Sequence, residues 1–216
     1  MSSVKITELS SSGPLTGSEV LPIVQGNQTV KTTVQEIGSF TRPYKVYTAL
    51  LTQSGGDDPL SIDSGLLTIG VTYYINNNSS GMDFTNVGAP NNIAGESTYF
   101  IATGTTPNSW GAGEGTGNGT LSYNTGAPVV TVLENTIGNI WFTYDMVGRY
   151  NVNSDGLFTT NKTYSVPYVY SPLSDLPNGI FIENLTVNYS QIISIYNADT
   201  VDNQLSNTSI EIRVYE

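Results

Sequence analysis

From Tyr44 onward, apolar and polar residues alternate with a period of two over most of the chain. Val46, Thr48 and Leu50 interleave with Tyr47, Ala49 and Leu51, a spacing that sends successive side chains to opposite faces of a strand. The clearest alternation spans Leu66–Ile75, with Leu67, Ile69, Val71, Tyr73 and Ile75 on one face. Shorter runs predict strands at Tyr99–Thr103, Val129–Leu133, Ile140–Tyr144, Arg149–Val152, Tyr164–Tyr170, Ile180–Tyr189 and Gln191–Tyr196. Ser209–Tyr215 closes the series. Asn- and Gly-containing breaks separate several of these runs at hairpin spacing. About ten to twelve short strands with no helix after residue 40 predict an all-β fold, a jelly-roll-like β-sandwich over residues 43–216. No fixed period argues for a propeller or solenoid.

The first forty-odd residues follow another pattern. Leu9, Leu15, Val20, Leu21, Pro22, Ile23, Val24, Val30 and Ile37 are apolar positions in a stretch broken at Gly13-Pro14 and Gln25-Gly26-Asn27-Gln28. The second break predicts a tight reversal between Leu21–Val24 and Thr29–Thr32. Thr33-Val-Gln-Glu36 has the spacing of a capping box, and Gly38 predicts the end of a one-turn helix. Arg42-Pro43 marks a hinge, giving a segment 1–42 ahead of the β domain. A segment this short cannot bury a core alone, so those nine apolar residues are expected to dock on something else.

The order Leu9, Leu15-Thr-Gly-Ser-Glu-Val20, Leu21-Pro-Ile-Val-Gln25, Thr29-Val-Lys-Thr-Thr33, Ile37 resembles a segment at the N-terminus of many tailed-bacteriophage fibre and appendage proteins. In those proteins it precedes a variable β-rich module and fixes the appendage to the particle. Tyr44–Pro59 with Leu67–Ile75, and Gly138–Tyr144 with Asp155–Phe158, are similar to virion proteins of marine and crAss-like gut phages. The resemblance implies a structural, non-enzymatic virion subunit assembled in the host cytoplasm, a head or tail fibre or a capsid decoration. It further implies a homotrimer, capsid or tail proteins as partners of the N-terminus, and host adhesion through the β domain, with a surface glycan as the ligand.

Composition narrows the chemistry. The 216 residues contain no Cys and no His, which removes disulfides, thiol nucleophiles, His-based triads and zinc sites built on those ligands. Lys5, Lys31 and Arg42 balance Glu8, Glu19 and Glu36, so the whole net charge of −11 falls on residues 43–216. That acidity, with no Lys/Arg patch to neutralise phosphates, argues against nucleic acid as a partner. No apolar run reaches the ~20 residues of a membrane helix, and no basic start followed by an apolar run suggests a secretory leader. No cofactor is expected.

Several residues are candidates for chemistry. Gly104–Gly119 holds six glycines in sixteen residues and predicts a long surface loop. Its Trp110, with Asn108 and Glu114 beside it, is the leading ligand-contact candidate, since an exposed aromatic on a loop can stack on a sugar ring or anchor a partner. The alternative is that Trp110 folds back over a sheet edge or packs on a neighbouring subunit. Trp141, mid-strand among apolar neighbours, is expected in the core. Tyr73, Tyr74, Tyr144, Tyr164, Tyr168 and Tyr170 form either a sugar-binding face or ordinary sheet packing. Asp57, Asp58 and Asp63 can offer oxygens to Ca²⁺, although Asp-Asp-Pro is also a turn sequence and no full cation loop is present. Glu96, Glu114, Glu134, Asp145 and Glu183 are available for a carboxylate pair of the glycosidase kind, but no spacing singles out a pair. A virion-associated glycan hydrolase, a free carbohydrate-binding module and a capsid cementing protein without receptor binding therefore stand as the alternatives.

Overall fold

The computed structural model describes residues 18–39, 42–77, 79–94, 98–111, 118–167, 179–184 and 186–215. The chain divides into two compact units, Met1–Pro43 and Tyr44–Glu216. In the first, β1 (Val20–Gln25) and β2 (Gln28–Thr33) form an antiparallel hairpin, followed by α1 (Val34–Ser39). The reversal is the one expected. Gly26 and Asn27 both take positive φ (57° and 63°), the requirement of a two-residue turn whose twist matches the strands. The Val34 amide donates to the Glu19 carbonyl at 3.0 Å, tying the helix start back to the hairpin. The helix runs one residue beyond Gly38.

The second unit is an all-β sandwich, as the period-two pattern predicts. Its strands in chain order are β3 (Tyr44–Thr52), β4 (Pro59–Ile62), β5 (Thr72–Asn77), β6 (Met82–Asp83), β7 (Tyr99–Ile101), β8 (Ser109–Trp110) and β9 (Thr120–Asn124). They continue with β10 (Val129–Asn135), β11 (Ile140–Met146), β12 (Arg149–Ser154), β13 (Thr163–Pro167), β14 (Gly179–Asn184), β15 (Tyr189–Tyr196), β16 (Asp199–Thr200) and β17 (Thr208–Tyr215). One sheet has the order β10-β3-β17-β13, and the other β11-β12-β15-β14 with β16 beside β15. Every pairing is antiparallel, and the first and last strands of the unit, β3 and β17, pair along their whole length.

Alternation fills the space between these sheets. Tyr47, Ala49 and Leu51 from β3, and Ile210, Ile212 and Val214 from β17, meet Phe142, Tyr150, Val152 and Ile192 from the other sheet. Trp141 is buried as expected (7% exposed), but it projects from the opposite side of β11 to Phe142 and is covered by a third layer.

That third layer is built from residues 59–124, inserted between β3 and β10. Its sheet has the order β4-β9-β5-β7, with the short pair β6-β8 beside it, and it encloses a second core of Leu67, Tyr73, Ile75, Phe84, Phe100 and Leu121. It lies against the free edges of the two sandwich sheets. The Val130 amide of β10 donates to Gly70 O at 2.9 Å, and the Phe142 amide of β11 donates to Thr72 Oγ1 at 3.2 Å. Asn139 Nδ2 donates to Tyr99 O at 3.3 Å. Groups that would template pairing with another chain are thereby occupied.

Two expected strands differ from the observed ones. The Leu66–Ile75 run is a strand only from Thr72; Leu66 and Ile69 are 71% and 56% exposed, and Gly70 sits at φ 86°. The turn wins because Gly70 approaches β10 so closely that a Cβ would lie 2.5 Å from Val130 O. The Ile180–Tyr189 run is broken between β14 and β15, where Thr186 Oγ1 accepts from the amides of Asn188 and Tyr189. A hydroxyl that captures nearby amides favours a turn over a continued ladder. The expected Tyr164–Tyr170 strand is seen to Pro167, and its remainder lies outside the described residues.

Gly70→Ala therefore combines an unfavourable φ with overpacking against backbone and should cost about 2–4 kcal/mol. Gly56→Ala, whose Cβ would meet nothing within 4 Å, should stay within about 0.5 kcal/mol. Urea denaturation of both variants measures the difference.

Candidate functional site

Where the third layer meets β11, the surface opens into a cleft of about 240 Å³. Tyr74 from β5, Tyr99 from β7 and Tyr144 from β11 line it, together with Thr72, Ser122, Asn124, Phe142 and Thr143, while Tyr123 from β9 borders it with its ring packed on Tyr73 of the second core at 5.3 Å. All four tyrosines are half-buried. Strand pairing sets their positions: Tyr74 lies opposite Tyr99, and Ser122 opposite Tyr74 on its other side. The Tyr74 and Tyr99 rings are 4.8 Å apart, and Tyr99 stacks on Trp141 at 5.6 Å with only 5° between planes. Trp141 therefore works as a support, holding a Tyr99 ring that remains partly open to solvent.

The rim is polar and tightly bonded. Tyr144 donates its hydroxyl to Asp202 Oδ2 at 2.9 Å, and Asp202 Oδ1 accepts from the Gly148 amide at 2.8 Å. The Tyr150 hydroxyl also lies 2.9 Å from Asp202 Oδ1 and 3.0 Å from Gln53 Oε1. Asn124 donates to Asp57 Oδ1 at 2.8 Å while its own Oδ1 accepts from the Gly126 amide. Gly126 is constrained here, since a Cβ would lie 2.5 Å from Gly56 O and 2.6 Å from the Tyr144 ring. Desolvation, the hydrogen bond to Asp202 and the charges of Asp202 and Asp57 together push the Tyr144 phenol up to about 12. Such a surface offers aromatic faces, hydroxyls and an amide, with no charged side chain in the lining among the described residues.

Of the tyrosines considered from sequence, Tyr74 and Tyr144 reach this cleft. Tyr73 instead lies in the second core, where its oxygen accepts from the Thr68 amide at 3.0 Å. Tyr164 packs with Tyr215 at the far edge of the sandwich, beside an open hollow that Asn161 and Lys162 complete. Tyr168 and Tyr170 lie outside the described residues. Sequence reasoning missed Tyr99 and Asp202. Their only signal was the excess of Tyr over Phe, 14 to 6, because the cleft joins strands distant in sequence.

Trp110 is half-buried in β8, paired with Met82. Its indole packs edge-on to Phe84 at 5.2 Å and donates to Gly65 O at 3.3 Å. Asn108 donates to Asp83 Oδ2 at 2.9 Å, and its amide donates to Asn86 Oδ1. The Thr85 hydroxyl, Asn108 and the Thr85 amide hold the Asp83 carboxyl well below the usual carboxylate range. Asn108 and Trp110 thus fasten the start of the glycine-rich loop to the third layer, and Glu114 lies outside the described residues.

Asp57, Asp58 and Asp63 serve separate turns: Asp58 O accepts from the Thr125 amide and Asp63 Oδ1 from Ser64 Oγ. Among the described residues no group of three carboxylates is arranged to hold a metal ion. Glu134, Asp145 and Glu183 fall on β10, β11 and β14, and Glu96 lies outside the described residues. In the first unit, Val20, Leu21, Val24 and Ile37 are exposed (55%, 43%, 75% and 39%), as is Pro22; Ile23 and Val30 are half-buried. Leu9 and Leu15 lie outside the described residues.

No protein-family model, curated protein or solved structure matches the chain.

The raised Tyr144 phenol has a signed consequence. Its protonated form is favoured by folding, so the associated stability is complete below the ordinary pKa of 10.0 and is lost as pH rises towards 12. Asp202→Asn removes the acceptor charge and should move this titration down towards 10. Ultraviolet phenolate absorbance of the two proteins against pH checks the shift.

Proposed function

We propose that the chain is a structural, non-enzymatic subunit of a tailed-bacteriophage particle, a head or tail fibre or a capsid decoration. Residues 1–42 anchor it to capsid or tail proteins, and residues 43–216 face outward and adhere to a host-surface glycan. The observation that carries the anchoring is the unburied apolar surface of the first unit. A two-stranded hairpin with one helical turn is marginal alone in water, yet it displays Val20, Leu21, Val24 and Ile37. Such a unit is completed by a partner, and the resemblance of residues 9–37 to phage anchoring segments supplies the kind of partner.

Burial of those residues in a homotrimer places the three β domains side by side and multiplies weak contacts to a surface, a gain set by effective concentration rather than new contacts. The tyrosine cleft favours adhesion over simple cementing, because cementing requires no open aromatic recess. Among the described residues its lining offers aromatic rings, hydroxyls and an amide rather than a carboxyl pair set across a scissile bond, which supports adhesion over hydrolysis.

Light scattering on the full chain and on a version starting at Tyr44 tests the assembly. A trimer that becomes monomeric without residues 1–43, and that no longer joins particles, is expected. A monomer in both, or particle binding by the shortened chain, contradicts the anchoring role.

A further inference from the structure

The adhesive reading leaves the ligand's chemistry open, and the electrostatics around the cleft narrow it. We infer that the cleft selects uncharged saccharides, taking a neutral hexose or N-acetylhexosamine unit and disfavouring uronic and sialic acids. This rests on the adhesive reading and adds a ligand class to it.

Size comes first. At about 240 Å³ the cleft is smaller than the roughly 300–1,000 Å³ of pockets for drug-sized ligands, so it suits one ring of a chain or branch. Shape and polarity point the same way. The Tyr74 and Tyr99 rings give the apolar C–H face of a pyranose flat surfaces to rest on, at a low cost in side-chain entropy. Asn124 Nδ2 keeps a second hydrogen beyond its bond to Asp57, and the Thr143 hydroxyl, which accepts from Asn153 Nδ2, keeps its own hydrogen, so both can still donate to sugar oxygens.

Charge decides between sugars of that size. Among the described residues no basic side chain lines the cleft. Two carboxylates stand directly behind the lining: Asp57 bonds Asn124 at 2.8 Å and Asp202 bonds Tyr144 at 2.9 Å. Their charges are felt at the surface, since both raise the Tyr144 phenol. An acidic sugar would lose hydration there and meet two negative charges, with no cation among the described lining residues to offset them. Residues 43–216 carry four basic against fifteen acidic side chains, so the long-range field opposes an anionic ligand as well.

The test is binding of the full chain to an array of neutral hexose, N-acetylhexosamine, uronate and sialylated oligosaccharides, followed by titration of the best neutral and acidic probes. At low salt the acidic probe should bind about tenfold more weakly, the scale of two nearby surface charges. The gap should narrow in ~0.5 M salt, as screening shortens the reach of the carboxylates. Asp57→Asn, at an exposed position and keeping an oxygen for Asn124, should narrow it too, whereas Tyr74→Ala should abolish neutral binding. Equal binding of acidic and neutral probes at low salt overturns the selectivity and leaves adhesion standing. Neutral binding that survives Tyr74→Ala overturns the cleft as the selective site and leaves adhesion standing, whereas binding to nothing on the array overturns both.

Discussion

Gly70 is the point on which the outer domain turns. Its amide donates to Ala102 O at 2.8 Å and its carbonyl accepts from the Val130 amide at 2.9 Å, so it is bonded to the inserted layer on one side and the sandwich on the other. Positive φ and the 2.5 Å clearance to Val130 O both require a residue without a side chain. With that contact made, Thr72 lies against the Phe142 amide and Tyr99 against Trp141. The edge strands β10 and β11 are covered, and the faces of β5, β7 and β9 meet β11 at the angle that leaves the cleft.

The same constraint explains the division of labour between the two cores. The sandwich core is continuous across its two sheets and draws on strands from both ends of the unit. The inserted layer has its own core, so its outer loops can vary without disturbing the sandwich, provided the contacts at Gly70 and Thr72 remain. The candidate site falls at the seam, where aromatic side chains are packed on one side and open on the other. Tyr99 is the clearest case: Trp141 supports one of its faces, and the ring still reaches the cleft.

Much of the fold was legible in the chain, and the reasons for the rest are local. Strands β3, β12 and β17 alternate cleanly because each buries one face in the same core. The hairpin at Gly26-Asn27 was legible because only such residues accept two successive positive φ values. Residues 66–71 misled because alternation continues through a turn: Leu67 and Tyr73 are buried, but Ile69 between them is exposed. Short strands such as β4 and β9 lack a buried face long enough to leave a period. The site was less legible than the fold. Trp110 stood out as an aromatic in a glycine-rich loop, whereas the cleft is assembled from Tyr74, Tyr99 and Tyr144 on three strands, with Ser122 from a fourth. Only the pairing of β5 with β7 and β9, and the packing of that sheet on β11, brings them together.

The most direct measurement is of the tyrosine rings themselves. Ring resonances assigned by NMR can be followed while a neutral oligosaccharide is titrated into the protein. If the cleft is the contact surface, Tyr74, Tyr99 and Tyr144 shift together with one affinity, and Tyr164 and Tyr215 at the opposite edge stay fixed. Shifts confined to Tyr164 and Tyr215, or to Trp110 and the loop that follows it, would contradict it and move adhesion to another part of the domain.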